Sequence, residues 1–184
     1  EHELMEGLEV FRVRYLPENK EKLQQDAAGI PAAWERGLKG RLPLIPFFIA
    51  YTKAVGRHAA DCDIIHANWS LSGLAALLSR GRHKLPYVVN VHGSDVFKTL
   101  NKPGIRQMVG LALRKAGKVI AVSQALKTAS QEFGLSNEQV VVITNGINIS
   151  QFPLAASDQK KNQVLFVGSL IERKGILYLL QAMR

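Results

Sequence analysis

Apolar and polar positions along this chain fall into one repeating order: a short apolar run, a turn, then apolar residues at helical spacing. Asp63–Ala67 reads as a strand, followed by a loop at Asn68-Trp69-Ser70 and by Leu71, Leu74, Ala75 and Leu78 on one helical face. Tyr87–His92 is a second buried strand, broken by Gly93-Ser94, with Ser94 and Asp95 in the loop beyond. Pro103 opens a helix whose apolar face is Ile105, Met108, Val109, Ala112 and Ala116. Lys118–Val122 is a strand, Ser123 a natural N-cap, and Gln124–Phe133 the helix it starts. Val140–Ile143 is one more strand, ending in Thr144-Asn145-Gly146.

Earlier in the chain, Leu8–Leu16 alternates as a strand and stops at Pro17. Residues Glu18–Arg41 form a long polar connection or a loosely held helix, and Leu44–Arg57 a helix that turns basic toward its end. Later, a polar run around 153–162 reads as a linker. Gln163–Gly168 is then a new strand, and Ile176, Leu179, Leu180 and Met183 share a helical face. Strands alternating with helices predict an α/β fold with a doubly wound parallel sheet. The organisation expected is one Rossmann-like domain over 1–152, a linker over 153–162, and the first strand and helix of a second such domain over 163–184.

Composition narrows the picture little. The 184 residues are 47% hydrophobic and 21% charged, an ordinary globular balance, with a net charge of +9 and a pI near 9.9. That excess suits a nucleotide diphosphate, an anionic membrane surface or nucleic acid. One cysteine, Cys62, excludes an internal disulfide and fits a reducing compartment. The longest apolar run, Leu42–Tyr51, carries two prolines and is too short to span a bilayer.

Candidate chemistry gathers at two places. His92 stands where its strand ends, on the edge of a parallel sheet where ligands collect; the alternative is a solvated histidine at a strand end. In Val167–Gly175, Gly168 and Gly175 let the backbone turn, while Arg173 and Lys174 put two positive charges at the mouth of the following helix. Fixed cations there would stabilise a diphosphate leaving group; a loop with solvated charges is the plainer reading. Asp61-Cys62-Asp63 spells a metal-binding DxD, but it precedes its strand, on the edge opposite His92, and reads as turn chemistry. His66 and His92 have no carboxylate or cysteine nearby in the pattern to complete a ligand set, so no metal is expected.

Five stretches in order resemble retaining glycosyltransferases of the GT-B fold, family four best. These are Asp63-Ile-Ile-His-Ala-Asn-Trp69, Val91-His-Gly-Ser-Asp95, Val122-Ser123, Asn145-Gly-Ile-Asn148 with Phe152, and Val167-Gly-Ser-Leu-x3-Lys-Gly175. The resemblance implies a hexosyltransferase of carbohydrate or cell-envelope polysaccharide synthesis. It implies a nucleotide-diphosphate sugar as donor, retention of configuration, and no metal or other cofactor. By it, His92 contacts the transferred sugar and Lys174 holds the diphosphate. Gly168, Ser169, Arg173, Gly175, Asn145 and Gly146 then line the donor site, and Asn68, Trp69, Gly93, Ser94 and Asp95 the acceptor side or cleft. Ser169, Asn68 and Thr144 depart from the arginine, histidine and proline usual at those positions. The family's acidic donor-binding element would lie past Arg184 and its glycine-rich first loop before Glu1, so this stretch by itself is expected to be inactive.

The acceptor implied is a carbohydrate or a lipid-linked molecule, and the location cytoplasmic, peripheral at the inner face of the membrane. The helix from Pro103 to Lys118, with Arg106, Arg114, Lys115 and Lys118, is the stretch that could meet anionic lipid; the alternative is that it buries its apolar stripe on the sheet. A basic Rossmann-like binding module without catalysis is the competing reading. Nucleic acid is disfavoured as its partner, because no aromatic-basic interleaving is present.

Overall fold

A computed structural model describes residues 1–21, 23, 30, 37–152 and 163–183. The chain divides into two compact units, Glu1–Asn145 and Gly146–Arg184. The expected linker over 153–162, most of the 22–36 stretch, the side chain of Arg173 and Arg184 lie outside the described residues.

The first unit opens with a hairpin. β1 (His2–Met5) pairs antiparallel with β2 (Leu8–Phe11) across Glu6-Gly7, both at positive φ. Such a turn needs left-handed backbone at two successive residues, which glycine supplies at the second. The strand expected over Leu8–Leu16 therefore ends at Phe11 and belongs to this separate ribbon. Arg12 pairs with Glu3 and Arg14 with Glu1 along it.

Helices α1 (Gly37–Arg41) and α2 (Leu44–His58) lie ahead of the main sheet among the described residues. Its strands are β3 (Ile65–Asn68), β4 (Tyr87–Val91), β5 (Lys118–Ala121) and β6 (Val140–Val142), all parallel and in the order β3-β4-β5-β6. Between them run α3 (Ser70–His83), α4 (Ser94–Leu100), α5 (Pro103–Lys115) and α6 (Gln124–Gln131). Crossovers of the usual right hand between successive neighbouring parallel strands would carry their helices on one face of the sheet. Burial follows that geometry. Ala67, Tyr87, Val89, Val91, Val119, Ala121 and Val140 are buried, whereas His66 and Asn68 are exposed and Val88, Asn90, Ile120 and Val141 half-buried.

Ser123 caps α6 as expected, its hydroxyl accepting from Leu126 N at 3.2 Å. Two apolar faces were misassigned at single positions. Met108 on α5 and Leu78 on α3 are exposed; Leu74 and Ala75 are buried as expected, and Leu113, Gly73 and Ala76 join them in the core. Small residues on α3 let it sit close on the sheet: a Cβ added at Gly73 would lie 2.7 Å from Val89 Cγ2.

In the second unit, residues 163–167 join no ladder among the described residues, so the strand expected over Gln163–Gly168 is not formed. An extended segment becomes a strand only by hydrogen bonding to a neighbour, and none is described beside it. A 3₁₀ turn (Glu172–Lys174) leads through Gly175 into α7 (Ile176–Ala182). Ile176 and Leu179 are half-buried there, whereas Leu180 and Met183, expected on the same face, are exposed.

Candidate functional site

The carboxyl ends of β3 and β4 are tied together by one acid. Asp95 was expected in a loop; it lies instead in the first turn of α4 and is only 8% exposed. Its Oδ1 accepts from the backbone N–H of His92 and of Gly93, both at 3.0 Å, and its Oδ2 accepts from Ser70 N at 3.1 Å. Its own carbonyl oxygen accepts from Ser70 Oγ at 3.4 Å and Thr99 Oγ1 at 2.7 Å. Donors from the start of α3 and from the β4–α4 turn would otherwise lack intrahelical partners. One carboxylate satisfies both, clamping the loop after β3 to the loop after β4.

That clamp sets His92. Gly93, next to it, adopts φ 114° and ψ −64°, a backbone region closed to residues with a Cβ. Asn68 and Asn90 are register partners on β3 and β4 and share a sheet face. His92 Nε2 lies 2.6 Å from Asn68 Oδ1, so Nε2–H donates to the amide oxygen. In the neutral ring Nδ1 then keeps its lone pair, ready to accept from a hydroxyl. Trp69, at φ 79° and ψ 148°, is held in that rare conformation with its N–H on Asn90 O at 2.8 Å.

Of the residues expected here, the structure thus brings together Asn68, Trp69, His92, Gly93 and Asp95, with Ser94 exposed beside them. Asp95 is not open to a ligand; it positions the others. Two participants escaped the pattern. Ser70 was read only as a loop residue, and Asn90 only as one member of a strand. Asn90 Oδ1 is buried and has no hydrogen-bond partner among the described residues. An asparagine inside Tyr87-Val-Val-Asn-Val was the signal available.

Asp61, Cys62 and Asp63 precede β3 at the opposite edge and are exposed. No group of three or more His, Cys, Asp or Glu able to hold a metal ion occurs among the described residues. A pocket of about 270 Å³ lined by Arg106, Gln107, Arg114, Glu132 and Phe133 lies against the helices and contains none of the expected site residues. Both arginines there bond backbone carbonyls, Glu132 O and Phe133 O.

The second unit holds the other expected group. Asn145, at the end of the first unit, and Gly146, Gly168, Ser169 and Lys174 are exposed. Ile171 N donates to Ser169 O at 2.9 Å and Lys174 N to Ile171 O at 2.9 Å, closing a compact turn. A Cβ at Gly168 would lie 3.9 Å from Lys174 Cδ, so the lysine stem runs beside that glycine. Gly175 is left-handed at φ 71°. The loop thus holds an exposed lysine beside two backbone positions without side chains.

The profile of Glycosyltransferase Family 4 matches residues 6–151. Two uncharacterized glycosyltransferases of Methanocaldococcus jannaschii are similar. One is 28% identical over 123 residues, covering 66% of this chain and 34% of its own length; the other is 30% identical over 143 residues, covering 66% and 36%. TuaC of Bacillus subtilis, assigned as a glycosyltransferase of teichuronic acid biosynthesis, is 27% identical over 198 aligned positions, 99% of this chain and 46% of that protein. The chain therefore spans less than half the length of these curated relatives. Among solved structures, HepE of Anabaena in complex with UDP superposes with a TM-score of 0.52 at 25% identity, over 58% of this chain and 29% of HepE. HepE in complex with UDP-glucose gives 0.51 over the same shares.

Proposed function

This chain belongs to glycosyltransferase family 4, and on that premise we propose that it takes part in transfer of a hexosyl group from a nucleotide-diphosphate sugar to a carbohydrate or lipid-linked acceptor. Its fold is the Rossmann-like α/β fold of GT-B glycosyltransferases. In this reading the configuration is retained, no metal is used, and the setting is cell-envelope polysaccharide synthesis in the cytoplasm or at the inner face of the membrane. The observation that carries it is the set of His92: an imidazole at the carboxyl edge of a parallel sheet, fixed at Nε2 by Asn68 and at its backbone by Asp95. A ring held in that way presents one acceptor nitrogen to a sugar hydroxyl without further ordering. Complexes of HepE with UDP and with UDP-glucose support a uridine nucleotide sugar as the first donor to try. In the second unit, Lys174 in the turn beside Gly168 and Gly175 meets the diphosphate as its charge grows, with Ser169, Arg173 and Gly146, and Asn145 at the end of the first unit, contributing to donor binding.

The test is donor consumption by the full-length protein with uridine, guanosine and adenosine diphosphate sugars, in the presence of chelator. One donor consumed, and loss of at least about a hundredfold in kcat/KM in both His92→Ala and Lys174→Ala, is the result expected. Undiminished turnover in either variant removes that residue from the proposal, and the absence of turnover or binding with every donor removes the proposal itself.

A further inference from the structure

The flank of α5 and the end of α6 line a cavity of about 270 Å³ that the transfer reading leaves unused. Helix α5 buries Val109, Ala112 and Leu113, and beside them Arg106, Gly110 and Arg114 follow one another at steps of four. Arg106 Nη2 donates to Glu132 O at 3.0 Å, and Arg114 Nη1 to Phe133 O at 2.6 Å. Those carbonyls belong to consecutive residues, whose Cα atoms lie about 3.8 Å apart. Two guanidinium groups that start eight positions apart on α5 are thereby drawn to one spot.

Gly110 makes the room for this. A Cβ there would lie 2.9 Å from Arg114 Nη1 and 3.3 Å from Phe133 Cδ1, so the guanidinium rests in the notch that the missing side chain leaves. Gln107, Glu132 and the buried Phe133 complete the lining, and no aliphatic side chain contributes to it. The position is separate from the edge that carries His92. α6 begins at Gln124, just past the carboxyl end of β5, and Phe133 stands nine residues, about 14 Å, further along. Arg114 comes four residues before Lys118, where β5 starts. The cavity therefore lies toward the amino ends of the strands.

We propose that this cavity binds a small soluble phosphate monoester that carries hydroxyl groups, a sugar phosphate by class. A guanidinium has five N–H donors in a planar fork, and the bond each makes to a carbonyl fixes that plane while leaving the rest of the fork for phosphate oxygens. The amide of Gln107 and the carboxylate of Glu132 suit the hydroxyls: the amide donates and accepts, and the carboxylate accepts. A bare inorganic anion would leave Glu132 facing it with no proton between them. With no aliphatic wall, an acyl chain finds no place, and the volume is just below the about 300–1,000 Å³ of sites for drug-sized ligands. Capping of α6 by the two arginines accounts for one nitrogen of each and not for the notch at Gly110 or the cavity both arginines line. Nothing in this assignment depends on the transferase reading.

Calorimetric titration of the full-length protein with glucose 6-phosphate, inorganic phosphate and glucose, at constant ionic strength, tests it. Saturable binding of glucose 6-phosphate is expected, with inorganic phosphate weaker by about tenfold and glucose without effect. Arg106→Gln, at an exposed position, should weaken glucose 6-phosphate by about tenfold or more with an unaltered far-ultraviolet spectrum, and Arg106→Lys should not restore it. Gly110→Ala keeps every charge and favours the helix, yet should weaken binding severalfold by displacing Arg114. No saturable binding of glucose 6-phosphate, or equal affinity in wild type and Arg106→Gln, overturns the proposal. Equal affinity for glucose 6-phosphate and inorganic phosphate overturns it as well, since the hydroxyl contacts would then be absent. Binding that survives Arg106→Gln and disappears in Lys174→Ala would put the phosphate in the transfer site instead. Donor turnover that fails while Arg106-dependent binding persists would sink the transferase reading and leave this one standing.

Discussion

Asp95→Ala should cost more in stability than any other single change at the carboxyl edge. The carboxylate serves three backbone donors: His92 N and Gly93 N at 3.0 Å, and Ser70 N at 3.1 Å. His92 and Gly93 are half-buried, so water can replace part of what they lose, but Ser70 is only 1% exposed. An orphaned buried donor costs about 1–3 kcal/mol, and hydrogen bonds to a charged acceptor contribute about 1.5–3 kcal/mol each. Taking the upper half of that range for Ser70 and about 1 kcal/mol for each wetter donor gives about 4 kcal/mol, a large share of the usual 5–15 kcal/mol. Asp95→Asn should lose about half as much, because its one oxygen can keep His92 and Gly93 while its NH₂ faces Ser70 N–H. Urea denaturation followed by circular dichroism measures both, with an unchanged m-value expected. A loss below about 1 kcal/mol in the alanine variant would refute the clamp and return Asp95 to the role of a ligand contact. In that event donor or acceptor KM, and not stability, would carry the effect.

Gly73→Ala should destabilise by about 1–3 kcal/mol, since its Cβ would fall 2.7 Å from Val89 Cγ2. Combining it with Val89→Ala should cost less than the two singles summed, by about 1 kcal/mol or more; strict additivity in denaturation would mean that α3 does not rest on β4 there. Tyr87 predicts an alkaline effect. Burial pushes its phenol up to about 12, against about 10 in an unfolded chain. The neutral form is the one the fold favours, so this stability is complete below about pH 10 and is lost as pH rises toward 12, up to about 3 kcal/mol. Tyr87→Phe, which loses the 2.6 Å bond to Ala112 O, should be about 1 kcal/mol weaker at pH 7 yet lose less between pH 10 and 12. Parallel pH curves for the two proteins would contradict this.

How legible the fold was depended on whether local pattern or distant pairing decided each element. Tyr87–Val91 and Lys118–Ala121 are apolar and β-branched, and they are strands because both faces of the period favour it. Ser123 declares its helix through a side chain that bonds within three residues. The hairpin at Glu6-Gly7 was missed because glutamate does not announce a left-handed conformation, although glycine does. Gln163–Gly168 has a strand's composition, but a ladder needs a second strand, and composition says nothing of where that lies. Met108 and Leu78 were placed inside because helical spacing defines a stripe and not its width.

At the site, the same division holds. His92 and Asn68 are 24 residues apart, and the alternation of strand and helix was enough to put both at one sheet edge. Their bond, and the turning of Asp95 inward to hold Ser70, depend on side-chain rotamers that no spacing encodes. Family resemblance named Asp95 as a cleft residue because it travels with His92 in the motif; the geometry assigns its carboxylate to backbone donors instead.

The order β3-β4-β5-β6 has a kinetic side. Among the described residues, each of these strands pairs with the one that follows it in the chain, about 20 to 30 residues on. Loop-closure entropy grows slowly with length, so each strand–helix addition meets a similar barrier, and the sheet can extend stepwise from β3 as the polypeptide leaves the ribosome. The three-residue β6 would be last to dock, and until it does β5 presents a bare edge of unpaired N–H and C=O groups. Any slowing of that final step lengthens the interval in which two growing chains can pair with each other.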